Sequence, residues 1–198
     1  MNPDSGKFNN QYRISTTRMN GWDYSASGWY FVTICTRARN RYFGVIQEGD
    51  MHRSALGEIA HRNWLEIPNH FPLVSLEEFV IMPDHVHGII VINPVETQHA
   101  ASLPNAASLQ DREQNEYPKQ KGEKPLPKSG SLSSIIRSYK SAVTHWAGEN
   151  GYTDFGWQAR FFDRIIRDEA SLANIRLYII ENPQKWAIDE RYPQNIER

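Results

Sequence analysis

Apolar positions along the chain fall into runs of two periods. Residues 29–36, WYFVTICT, are β-branched and aromatic almost throughout and predict a buried strand. FGVIQEG, 43–49, predicts a second strand closing a hairpin-like pair with the first. Between 54 and 68, Leu56, Ile59, Ala60, Trp64 and Ile67 recur at helical spacing, and Pro68 marks the end of that helix. LVSLEEFVIM, 73–82, is again strand-like. Pro83-Asp84 is a turn signal, and HVHGIIVIN, 85–93, predicts the antiparallel partner.

From 94 to 130 the periodicity disappears into Pro, Gln, Asn, Lys, Glu and Ser, the composition of a mobile insertion. Order resumes with a helix over 131–151, with Ser131 as its N-cap and Gly148 or Gly151 near its end. A strand at 159–167 follows. A helix over 168–183 is opened by acidic residues and closed by Asn182-Pro183. Residues 1–28 are polar and read as an irregular arm. The order β-β-α-β-β-α-β-α predicts one α+β domain over 1–198, an antiparallel sheet with helices packed mainly on one face.

Composition narrows the function classes. Hydrophobic residues are 39% and charged residues 23% of 198, ordinary for a soluble globular chain. There is no apolar run of eighteen, so no membrane helix is expected, and no signal pattern at the N-terminus, so a cytoplasmic location is expected. A net charge of -1 means that any nucleic-acid footprint must be local. The single cysteine, Cys35, reads as a small buried hydrophobe.

Candidate chemistry begins with His85 and His87. Side chains alternate along a strand, so the two imidazoles share a face and can converge on one divalent cation. Two packed, hydrogen-bonded histidines are the competing explanation. Gly88 follows directly and removes a side chain, which lets a ligand or backbone approach. On the helix at 131–147, Leu132, Ile135, Ile136, Tyr139, Val143 and Trp146 form one stripe. Spacing alone makes Tyr139 a core residue. A functional reading aims its phenol at the histidine face, with Arg137 and Lys140 beside it as phosphate contacts. Arg37, Arg39 and Arg41 alternate and would line one side of an extended segment, as a phosphate contact or a solvated edge. Arg160, Arg164 and Arg167 accompany Phe161 and Phe162 with the same two readings.

Five segments in this order, DYSASGWYFVTICTRARNRYFG, GEIAHRNW, FVIMPDHVHGIIVI, GSLSSIIRSYKSAVTHW and WQARFFDRIIRDEASLANIRLYIIENPQKW, carry a family likeness. The chain resembles the single-tyrosine transposases of the HUH endonuclease superfamily, most closely the REP-associated tyrosine transposase group. The resemblance runs from about 23 to 186 without the insertion. It implies a ferredoxin-like fold and single-stranded or hairpin DNA as partner. It also implies that His85 and His87 hold Mg²⁺ or Mn²⁺, and that Tyr139 forms a 5′-phosphotyrosine bond so that strands can be cut and rejoined. Some relatives act as homodimers. In the family a polar residue one helical turn after the tyrosine completes the metal site; here that position is Val143, and Asp84, His145 and Gln158 are the alternatives. Two other functions stay open at this point. One is a domesticated DNA-binding protein with a degenerate site; the other is a metal-dependent hydrolase with no covalent intermediate.

Overall fold

The computed structural model describes residues 7–8, 11–12, 19, 21–94 and 128–188. Most of the arm and nearly all of the insertion expected from sequence therefore lie outside the described residues. In chain order the elements are the two-residue strands β1 (Lys7–Phe8) and β2 (Gln11–Tyr12), then β3 (Gly28–Cys35), β4 (Gly44–Gln47), β5 (Asp50–Arg53), α1 (Ala55–Leu65), α2 (Ile67–His70), β6 (Val74–Met82), β7 (His85–Ile92), α3 (Leu132–Glu149), β8 (Phe162–Ile166) and α4 (Glu169–Ile188).

The main sheet has the order β6-β7-β3-β8, with every neighbouring pair antiparallel. With α1 and α3 as the crossovers, this is the ferredoxin-like α+β fold expected from the sequence. The run HVHGIIVI is buried at every position because its strand lies inside the sheet with both faces covered. Its even residues Val86, Ile90 and Ile92 join Tyr30, Val32 and Ile34 of β3 and the stripe Leu132, Ile135, Ile136, Tyr139 and Val143 of α3 in the larger core. Its odd residues Ile89 and Val91 join Phe31, Ile166 and the α4 residues Leu172, Ile175 and Ile179 in a second core. The sheet thus has α1 and α3 on one face and α4 on the other.

Three local expectations are corrected. First, β4 does not pair with β3. It pairs with β5, in the register Val45↔His52 and Ile46↔Met51, across a two-residue turn whose Glu48 and Gly49 have φ of 53° and 88°. Two left-handed residues make the tight turn whose twist suits a hairpin, and Glu-Gly supplies it. Second, the helix begun at Ala55 and capped by Ser54, whose hydroxyl accepts from Gly57 N–H, stops at Leu65. Pro68 sits in the first turn of the separate short α2, where its missing N–H is not needed. Third, α4 runs through Pro183 to Ile188 instead of ending there. Trp186, buried against Ile46 and Met82, holds the extra turn down and offsets the missing backbone bond.

α4 is docked on β6 by Arg176, which pairs with both Glu77 and Glu78 and lies over the Trp29 ring. The register of β6 against β7 shifts between Leu76 and Phe79, next to those two glutamates.

Candidate active site

His85 and His87 are odd residues of β7 and so face α4. Their side chains are almost fully buried, at 3% and 5% exposure. The two Nε2 atoms stand 2.9 Å apart, with the rings at 78°. The outer nitrogens are engaged by protein. His85 Nδ1–H donates to Asp84 Oδ1 at 2.5 Å, and His87 Nδ1 lies 2.8 Å from Thr33 Oγ1. Thr33 can reach because it is the cross-strand partner of His87. With both Nδ1 positions taken, the lone pairs open to a further ligand are on Nε2.

Burial drives the electrostatics. It lowers the pKa of His85, against the opposing pull of Asp84, and lowers that of His87 well below the ordinary value with help from His85 and Arg39. Neutral imidazole is the form that binds metal. Asp84 is itself 2% exposed and takes the Arg39 guanidinium at 2.9 Å on its second oxygen. Arg39 also donates to Cys35 Sγ at 2.9 Å. Cys35 is half-buried where a buried side chain was expected, and burial pushes its thiol up, so it stays a thiol.

The helix above the histidines brings three further side chains. Tyr178 Oη lies 3.2 Å from His87 Nε2. Trp186 packs against the His85 ring at 5.5 Å. Asn182, buried, is one turn after Tyr178 and one turn before Trp186. Residues at i, i+4 and i+8 share a helix face, so Asn182 faces the space between the two contacts. Two nitrogens at right angles on a cation with bonds of ~2.1 Å stand ~3.0 Å apart, against ~3.4 Å in a tetrahedron. The spacing of the histidine pair suits neighbouring corners of an octahedron. Among the described residues no group of three or more His, Cys, Asp and Glu side chains is arranged to hold a metal.

Tyr139 is not in this place. It lies on the α1 and α3 side of the sheet, where its hydroxyl donates to Ala60 C=O at 3.2 Å and its ring meets Trp64 and Trp157. It is 3% exposed, and burial raises its pKa far above the ordinary phenol. The stripe that made it visible is the core stripe, and β7 stands between it and the histidine side chains. Val143 is fully buried on the same stripe, on the opposite face of the sheet from the histidine side chains. Gly88 also faces this side. The group that approaches it is Trp64, whose Cζ2 would be 2.3 Å from a methyl placed there.

The arginines separate. Arg37–Arg39 form a 3-10 turn, with Ala38 and Arg39 at φ of 52° and 59°, so no extended stripe exists. Arg37 packs along Gly156, Arg39 holds Asp84, and Arg41 lies over the Trp186 ring at 5.9 Å. Arg137 is exposed on α3. Lys140 donates to the Gln158 carbonyl at 2.8 Å, and burial lowers its pKa to about 8. Both sit on α3, on the far side of the sheet from the histidine pair. The residues missed by sequence reading are Tyr178 and Asn182; Asp84 and Arg39 were singled out, as an alternative ligand and a phosphate contact, where the structure pairs them behind His85. The signal for the first two was the i, i+4, i+8 spacing of Tyr178, Asn182 and Trp186, hidden by reading Asn182-Pro183 as a helix end.

The site thus consists of a strand histidine pair under a helix-borne tyrosine, on a ferredoxin-like sheet. No protein-family model matches the chain. It is 36% identical over 178 residues to a Haemophilus influenzae protein whose own function is uncharacterised, covering 88% of this chain and 91% of that one. A second Haemophilus influenzae protein, named for the REP-associated tyrosine transposases, is 25% identical over 164 residues, covering 82% and 74%. The solved structure of a REP-associated tyrosine transposase bound to a REP hairpin superimposes with a TM-score of 0.53 at 18% identity, covering 87% of this chain and 74% of that one. The chain belongs to one family with the first of these proteins and is similar to REP-associated tyrosine transposases in sequence and fold. Among the described residues no helix is long and apolar enough to cross a membrane.

Proposed function

We propose that this protein cuts and rejoins single-stranded, hairpin-bearing DNA with Tyr178 as the attacking group. The observation that carries this reading is the Tyr178 hydroxyl 3.2 Å from His87 Nε2. Tyr178 is 41% exposed, so a phosphodiester can reach it from solvent while the histidines stay buried beneath. The family expectation of a polar residue one turn after the nucleophile, which fails at Val143, is met by Asn182. On this reading Val143, the ground for a degenerate, binding-only protein, does not bear on activity, and Asn182 supports the cutting reading.

In the proposed step the phenol oxygen of Tyr178 bonds to phosphorus as the bond from phosphorus to the 3′ oxygen breaks. The phenol proton passes to solvent, and the departing oxygen ends as a 3′ hydroxyl. The 5′ phosphate stays on Tyr178, and attack by another 3′ hydroxyl reverses the exchange without an external energy source. Magnesium or manganese at the two Nε2 atoms, with the Asn182 amide oxygen as a candidate ligand, would polarise the phosphate. Asp84 and Thr33 keep the imidazoles turned toward that position.

The test is incubation with a hairpin-bearing single strand and Mn²⁺, followed by denaturing gel analysis. The expected result is a covalent adduct that is lost in Tyr178→Phe and retained in Tyr139→Phe. An adduct that survives Tyr178→Phe overturns the assignment. Turnover with no adduct in any variant would instead favour the hydrolase reading.

A further inference from the structure

Two aromatic side chains stand out among the exposed large hydrophobic residues described, Phe162 at 44% and Tyr178 at 41%. Both lean on the same buried ring. Phe31 meets Phe162 edge-on at 6.3 Å and Tyr178 edge-on at 6.0 Å, and it stacks on His87 at 5.5 Å. The strand register explains why. Phe162 is the cross-strand partner of Thr33, which is in turn opposite His87, so all three side chains share the histidine face. β8 is the edge strand on that side of the sheet, and nothing in the described residues extends it. Arg164, exposed two residues on, lies on the same face opposite Phe31.

An exposed phenyl on a sheet edge gains nothing for the fold by being uncovered. Placed beside a candidate nucleophile it has a specific use. We propose that Phe162 is a stacking platform for one unpaired nucleobase next to the phosphate addressed by Tyr178, with Arg164 following the backbone. The inference rests on the DNA-processing reading above. Phenyl carries no hydrogen-bonding group, so the platform contributes affinity and position and does not choose the base. Phe31 supports the ring from below and couples its place to that of His87.

The experiment is a protein–DNA cycle. Single-stranded oligonucleotides are made with one abasic site stepped through the positions flanking the cleaved bond. Binding is measured by fluorescence anisotropy, and adduct formation is followed in parallel on wild type, Phe162→Ala, Phe162→Leu and Phe162→Trp. Loss of one base–aromatic stack weakens binding by about tenfold. The expected result is that loss for Phe162→Ala and Phe162→Leu, with Phe162→Trp close to wild type. One abasic position should cost wild type the same factor and cost Phe162→Ala nothing more. If every abasic position affects both proteins alike, the platform is wrong, even where wild type forms its Tyr178 adduct. If the coupling appears but no adduct forms, the platform holds and the cleavage reading fails. If wild type does not bind the strands, both fall.

Discussion

Replacing Asp84 with alanine tests how the histidine pair is held. Asp84 is 2% exposed and joins His85 Nδ1 at 2.5 Å to Arg39 Nε at 2.9 Å. Its backbone carbonyl separately accepts from Thr36 N–H and Thr36 Oγ1, bonds that the substitution leaves in place. The loss is therefore confined to the carboxylate. It leaves the His85 Nδ1–H buried without an acceptor, which costs ~1–3 kcal/mol. Breaking a buried ion pair costs ~3–5 kcal/mol, but the Arg39 side chain is 35% exposed and can turn to water, so the ion-pair part is much smaller. A net loss of ~2–3 kcal/mol follows, which lowers the midpoint of a chain this size by ~5–10 °C. Freed from the carboxylate, His85 loses its fixed tautomer and orientation, and, if the pair holds Mn²⁺ as proposed, affinity for it should fall by ~10–100-fold. Thermal melts with and without Mn²⁺, together with titration calorimetry, measure both effects. An Arg39→Ala, Asp84→Ala double variant should lose clearly less than the sum of the single losses, because the two groups act on each other. Simple additivity, or an Asp84→Ala protein that melts and binds Mn²⁺ like wild type, would refute the reasoning.

Other expectations follow from single contacts. Tyr139→Phe removes one buried hydrogen bond to Ala60 C=O and should cost ~1 kcal/mol in a denaturant titration, with adduct formation unchanged. Gly88→Ala places a methyl 2.3 Å from Trp64 Cζ2 and 3.0 Å from Phe79 Cβ; overpacking of this kind costs ~2 kcal/mol or more and should show as a lower chemical midpoint, against no change if Trp64 can swing away freely. Both histidines are held below their ordinary value of 6.5 in the fold, so the unfolded chain takes up protons that the folded chain refuses. The stability of the neutral pair is therefore complete above pH 6.5 and lost as pH falls below it, by up to ~1.4 kcal/mol per pH unit for each histidine. His87→Gln should flatten that slope in melts taken across the acid range, and an unchanged slope would contradict it.

The parts of this fold that could be read in the sequence are those where one period runs unbroken. β3, β7 and α3 are such runs, and the His85–His87 pair follows from the period of a strand alone. β5 could not be read in the same way because Asp50–Arg53 has little apolar alternation; a turn chemistry, Glu48-Gly49, decides its pairing. Tyr178 was passed over for a related reason. Periodicity finds the side chains that a helix buries in the core, and Tyr139 is one of them. Tyr178 lies on a helix flanked by exposed Leu177 and Ile180, where apolar residues face water as well as the core. Its partners are set by the crossing of α4 over β7, a tertiary fact with no local signature. Pro183 compounded the problem, because a local breaker was overruled by the burial of Trp186 three residues later.

The division of β7 by parity has a consequence for descent. Residues 86, 88, 90 and 92 belong to the face that the α1 and α3 core needs, while 85 and 87 lie under α4 beside Tyr178. A lineage that lost the chemistry proposed for this face but kept its fold would be free to change only the second set. Its history would be written as drift at alternate letters of one short word, with the letters between them held fast.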